Sequence, residues 1–160
     1  VKLLQSFLVV GALLSFSSWS AAAEACGGAQ CICRDMRAFD ALDSDPADFS
    51  RLEFGYAVHD LKTGLDNFIS ELNVWAGAGN SAVARATREL RVEVDTLRDC
   101  FCGIPSHAFL MRAVRGLDTF YQQLQRNYAG DMLINRNEQL QVRMARIETA
   151  YGTLIGYSNP

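Results

Sequence analysis

Apolar residues return along this chain at helical spacing. Phe54, Val58, Leu61, Leu65, Phe68, Leu72 and Trp75 follow alternating steps of four and three. That pattern predicts one buried helix face held over three heptads. Asp45 reads as the N-cap of this helix, Pro46 as its first residue and Asp48 as first-turn negative charge. A short carboxylate accepts the free N–H groups of a first turn, and proline lacks the N–H that would go unpaired there. Gly77, Gly79 and Asn80 stop the pattern. A second helix is predicted from Ser81, with Val83, Ala86, Leu90, Val94, Leu97 and Phe101 inward, ending at Gly103 and Pro105. Ser106 caps a third, with Leu110, Ala113, Leu117, Phe120, Leu124 and Tyr128 inward, up to Gly130. Asp131 is taken to cap a fourth, carrying Leu133, Leu140, Met144, Ile147, Tyr151 and Leu154.

No stretch alternates as a strand would. The links near residues 77–80, 103–105 and 130 are short, and short links make consecutive helices antiparallel neighbours. The expected fold is therefore all-α, an up-down-up-down antiparallel four-helix bundle with a disulfide-stapled N-terminal segment. A three-helix array with a flanking helix is the competing arrangement. Gly55, Gly64 and Gly116 fall inside helices, where each costs about 1 kcal/mol relative to alanine. Close helix approach or a kink would account for them.

The N-terminal stretch has a different pattern. Lys2 precedes an apolar run from Leu3 to Leu14, and small residues follow to Ala25. Ala21-Ala22-Ala23 and Ala23-Glu24-Ala25 both fit the small-x-small cleavage site of a secretory signal peptide. The run is short for a membrane span, which takes about 20 residues. The expected organisation is a signal peptide over 1–25, a cysteine-containing segment over 26–45 and the bundle over 46–160. A short helix around Arg34 to Leu42 fits the middle segment. The body is then exported, periplasmic or extracellular. It meets a membrane only through a lipid on Cys26 or an uncleaved leader.

Composition narrows the function classes. Of 160 residues 49% are hydrophobic, enough for a packed core. Fifteen basic residues face 18 acidic ones, net −3. Nucleic-acid binding normally shows a basic surplus or stripe, so no nucleic-acid partner is expected.

Export changes the reading of the five cysteines, because oxidising compartments favour disulfides. In an antiparallel bundle Cys100, Cys102 and His107 lie at the end that the segment with Cys26, Cys31 and Cys33 leads into. Cys31, Cys33, Cys100 and Cys102 are thus disulfide candidates, in any of three pairings. One such bridge closes a loop of about 70 residues and contributes about 4 kcal/mol by chain entropy. Cys26 is left over as a lipidation site or free thiol. One alternative is a Cu(I) or Zn site on Cys31, Cys33, Cys100 and Cys102 with His107, since soft thiolates suit those ions. Another is thiol–disulfide exchange, although Cys-x-x-Cys is missing.

Motifs for other chemistry are not present. The chain has no Cys-x-x-Cys-His for haem, no Glu-x-x-His for a di-iron centre and no His-Glu-x-x-His for a zinc protease. The run Asp40, Asp43, Asp45, Asp48 lacks the glycine and glutamate of a calcium loop. His59 reads as a boundary histidine; Met111, Met132 and Met144 read as core fillers. Arg85, Arg88, Arg91 and Arg98 alternate with Glu89, Glu93 and Asp95 as on a solvated helix face. The expectation is a non-catalytic protein without a cofactor. It would bind or support a protein partner in the cell envelope, through a helix face or the cysteine-bearing end.

Overall fold

The computed structural model describes residues 42–43, 45–75, 77–103 and 105–158. Four helices make up most of them: α1 (Arg51–Val74), α2 (Ala82–Cys102), α3 (His107–Gly130) and α4 (Glu138–Gly156). A short 3-10 turn (Ala78–Asn80) joins α1 to α2. No strand occurs among the described residues. Cross-helix pairs set the directions. Asp66 of α1 meets Arg91 of α2 at 3.0 Å, while Arg51 at the start of α1 reaches Pro105, just past the end of α2. Gln123 of α3 donates to Glu89 of α2, and Tyr151 of α4 donates to Asp118 of α3. Arg143 of α4 faces Glu71 late in α1, whereas Tyr157, just after α4, packs on Phe54 early in α1. Consecutive helices therefore run antiparallel around one core.

The predicted seams of the first, second and fourth helices are buried almost throughout: Phe54 to Leu72, Val83 to Phe101, and Leu140 to Leu154. The third is rotated from its expected face. Met111, Val114 and Tyr121 are buried, while Ala113, Phe120 and Tyr128 pack half-buried at its edge. The cause is its position. Helix α3 packs closely on α2 but stands further from α4, so its inner stripe must also fill that wider seam. Tyr121 and Tyr151 do so, stacked at 3.7 Å and 14° between ring planes. Gln125 donates to the Tyr121 hydroxyl at 2.9 Å, and the Tyr151 hydroxyl donates to Asp118 Oδ1 at 2.9 Å. Among the glycines, Gly64 marks a close approach: a Cβ there would lie 3.4 Å from Ile147 Cγ1. Gly116 has open space around it.

Burial pushes the Tyr121 hydroxyl up to about 12, with Glu148 adding to the rise. Burial likewise raises Tyr151, reinforced by its bond to Asp118. Both rings prefer to stay neutral in the folded state. Their contribution is complete below the unfolded value of about 10 and is lost as pH rises through the folded value. In an alkaline titration, part of the tyrosinate absorbance should therefore appear only together with loss of helical circular dichroism. Complete ionisation of all five tyrosines near pH 10 with the helices intact would contradict the stacked seam.

Two helix starts differ from expectation. Helix α1 begins at Arg51, capped by Ser50, whose Oγ accepts from the Glu53 N–H. Asp45 is not its cap. The Asp45 carboxylate is taken by Arg51 and by the Leu42 N–H, and Pro46 opens a turn closed by the Phe49 N–H. Helix α4 begins at Glu138, capped by Asn137. Asp131 instead caps a loop turn, its Oδ1 accepting from the Leu133 and Ile134 N–H groups. Ile134 takes the buried place, which leaves Leu133 88% and Met132 52% exposed. Ser106 caps α3 as read from the sequence, and Ser81, read as the start of the second helix, is the cap of α2. No helix among the described residues is long and apolar enough to cross a membrane.

Candidate functional site

The two ends of the bundle differ in chemistry. At the cysteine-bearing end, the start of α1 meets the link between α2 and α3. Arg51 is buried; its Nε donates to Asp45 Oδ2 at 2.6 Å, and its Nη2 donates to Asp45 Oδ1 at 2.9 Å and to the Pro105 carbonyl at 2.8 Å. Asp45 is thereby held below its ordinary value, chiefly by the Arg51 hydrogen bonds. The pair ties the segment entering the bundle to two of its elements. Phe49, the next inward residue, packs on Phe54, His107 and Tyr157 with ring centroids 4.6–6.0 Å apart. This aromatic cluster continues to Phe101.

The sequence-predicted site residues fall unevenly. Cys26, Cys31 and Cys33 lie outside the described residues, and so does the side chain of Cys102. Cys100 sits in the last turn of α2 as a half-buried free thiol. Burial, with Asp99 beside it, pushes that thiol up, away from the thiolate form that attacks disulfides. His107 does reach the same end, where its ring stands edge-on to Phe49 at 4.6 Å. No group of three or more His, Cys, Asp or Glu side chains able to hold a metal forms among the described residues. Of the acidic run, Asp43 and Asp48 are exposed, Asp45 is committed to Arg51, and Asp40 lies outside the described residues. His59 is half-buried on α1; Met111 and Met144 fill the core.

The opposite end carries the loops after α1 and α3. There Val74 is 79% exposed and Trp75 47%. Helix α1 ends at Val74, and the chain then turns through Gly77 at φ 82°, a left-handed conformation that glycine adopts freely. Trp75 therefore leaves its heptad position for the rim. Trp75 and Leu133 border one cavity of about 450 Å³, floored by Ala78, Ile134 and Leu140. Three polar side chains also line it, and each is already engaged. Ser81 Oγ donates to the Ala78 carbonyl and accepts from the Ala84 N–H; Asp131 Oδ1 and Asn137 Oδ1 accept from backbone N–H groups. The recess thus offers mainly apolar contact. Val74, Trp75, Met132 and Leu133 form the largest exposed apolar side chains at this end.

The sequence contained two signals for this rim. Val74 and Trp75 are bulky residues directly before a glycine-rich turn. Met132-Leu133-Ile134 places three apolar residues in a loop, where one turn can bury only some of them. A second, shallower groove of about 610 Å³ runs between α1 and α4 over Ala57, Gly64, Ala145 and Thr149. Small side chains make up most of its lining, with Asp60 and Arg146 also on its walls. Comparison with protein-family models, with curated proteins and with solved structures finds no match to this chain.

Proposed function

We propose that this chain is a non-catalytic, exported helical-bundle protein that binds a protein partner in the cell envelope through the loop end of the bundle. One observation carries the reading. Four large apolar side chains, two of them bordering a concave cavity, gather in solvent at one end, while the other exposed ones, Leu52, Tyr56, Val92 and Val142, are spread along three helices. Leaving such area exposed forfeits about 25 cal/mol for each Å² that burial would recover. An exposed apolar patch beside a pocket is a common form of protein–protein site. The loop end takes the place of the helix face or cysteine-bearing end expected from sequence.

Export rests on the leader over 1–25, with Cys26 as the lipidated or free residue that follows the cut. In an oxidising compartment Cys31 and Cys33 would pair with Cys100 and Cys102. Supporting this, Cys100 lies at the end where Asp45 delivers the N-terminal segment to the bundle. That bridge would reinforce the Asp45–Arg51 tie rather than replace it.

Photo-crosslinking tests the docking end. A photoreactive residue at Leu133 or Trp75 should give a discrete protein adduct in the exporting cell. The same residue at Val92, 55% exposed on the flank of α2, should give none. Equal labelling from all three positions, or no adduct from the loop end, would defeat the proposal.

A further inference from the structure

Charge around the loop end selects the kind of segment it can receive. Arg126 borders a shallow depression shared with Met132 and Leu133, beside the apolar cavity. Arg136 lies three residues beyond Leu133 in the same loop, and Arg85 one turn along α2 from Ala82, another wall of that depression. All three arginines are exposed, and none makes an ion pair among the described residues. The carboxylates near this end are Glu71, Glu89, Asp131 and Glu138. Glu71 faces Arg143, Glu89 accepts from Gln123 and Asp131 is turned onto backbone N–H groups, so Glu138 is the one standing free. Elsewhere Arg51, Lys62, Arg91, Arg98 and Arg143 are committed to carboxylates, while Arg112, Arg115 and Arg146 are exposed and make no ion pair among the described residues. The protein as a whole carries net −3, yet at the loop end three uncommitted arginines stand beside the exposed apolar rim.

We infer that the loop end receives an acidic amphipathic protein segment, with apolar anchors seated between Trp75 and Leu133 and flanking Asp or Glu residues set against Arg126, Arg136 and Arg85. This rests on the docking role proposed above for the same end. Two physical points favour a protein segment over an anionic membrane surface. A bilayer is met by a convex apolar tip, whereas Trp75 and Leu133 border a recess of about 450 Å³ that a flat lipid surface would leave unfilled. A recess of that size suits one or two bulky anchors, as when a helix lays i and i+4 side chains into a groove. The arginines around it would set orientation and on-rate, and so make binding sensitive to salt.

The test uses the full chain with Trp19→Phe, which leaves Trp75 as the only tryptophan. A random peptide library displayed on phage is selected against it. The expected binders carry aromatic or aliphatic anchors flanked by Asp or Glu, and they shift Trp75 fluorescence. Their affinity should fall about tenfold in the double variant Arg126→Glu/Arg136→Glu, whose two rim charges are reversed. Circular dichroism checks that the variant stays folded. Basic or uncharged binders that shift Trp75 and ignore the arginine reversal would overturn the acidic segment while leaving the docking end standing. Binders that neither move Trp75 nor respond to Leu133→Ser, or no binders at all, would overturn both. A Trp75 shift produced by phosphatidylglycerol vesicles but by no peptide would assign the end to lipid. Self-association abolished by Leu133→Ser would assign it to a second copy of the chain. Either result would overturn the inference.

Discussion

Replacing Asp45 by alanine is expected to cost about 3–5 kcal/mol of folding stability, the range for breaking a buried ion pair from one side. The cause is Arg51 rather than Asp45 itself. The guanidinium is 1% exposed and has one Nη1 without a partner even in the intact protein. Removing the carboxylate would leave it the Pro105 carbonyl as its one hydrogen-bond acceptor, beside the Phe49 ring at 5.9 Å. It could reach water only if residues 42–49 came away. That release would pull Phe49 off Phe54, His107 and Tyr157, so the apolar contact resists it. Denaturant unfolding measures the loss. The double replacement Asp45→Leu/Arg51→Met should recover most of it, because an apolar pair of similar size carries no stranded charge. A loss below about 1 kcal/mol in Asp45→Ala would mean the pair behaves as an exposed one.

The same pair sets a pH dependence. Asp45 is held below its ordinary value of 3.8 in the folded protein. Its contribution is therefore present above the unfolded value and disappears as pH falls through the folded one. The wild type should lose stability on acidification below about pH 4, and Asp45→Ala should show a shallower decline over that window.

Phe54→Ala should produce a loss of similar size, about 3–5 kcal/mol, from lost transfer energy and the cavity left behind. Phe54 is fully buried, and its ring lies 5.5–5.7 Å from those of Phe49, Phe101 and Tyr157. Those neighbours come from the entering segment, the end of α2 and the residue after α4. Truncation therefore loosens three chain elements that meet at a single ring. Leu52→Ala, on the exposed side of the same helix turn, should change stability by less than about 0.5 kcal/mol. Comparable losses at the two positions would show that the aromatic cluster does not anchor the end of the bundle.

The helices themselves were legible because their information is local. Periodicity placed the seams of α1, α2 and α4, and Ser106 was a recognisable cap. Asp45 and Asp131 misled for a common reason. Each is a good cap by residue type, yet each found a different use: Asp45 an arginine six residues on, Asp131 a loop turn. An aspartate before an apolar run cannot be told from a cap until its competing partner is in view. Leu133 followed from that error, since extending α4 back to Asp131 put it on the inner face.

The candidate site was less legible. Trp75 continued a heptad and so looked buried; only the end of α1 at Val74 and the turn at Gly77 carried it to the rim. The uncommitted state of Arg126 and Arg136 was also beyond sequence, because it depends on which carboxylates lie nearby in space. Sequence by itself determined helical character, three of the four buried stripes and antiparallel order, since each depends on residues within a few turns or on short links. Tertiary structure alone decided that Arg51 reaches Pro105, 54 residues away, that Tyr121 and Tyr151 close the wide seam, and that Trp75 meets Leu133 across a cavity. Those pairings follow from how the helices pack against one another, and packing brings together residues whose separation along the chain carries no periodic trace.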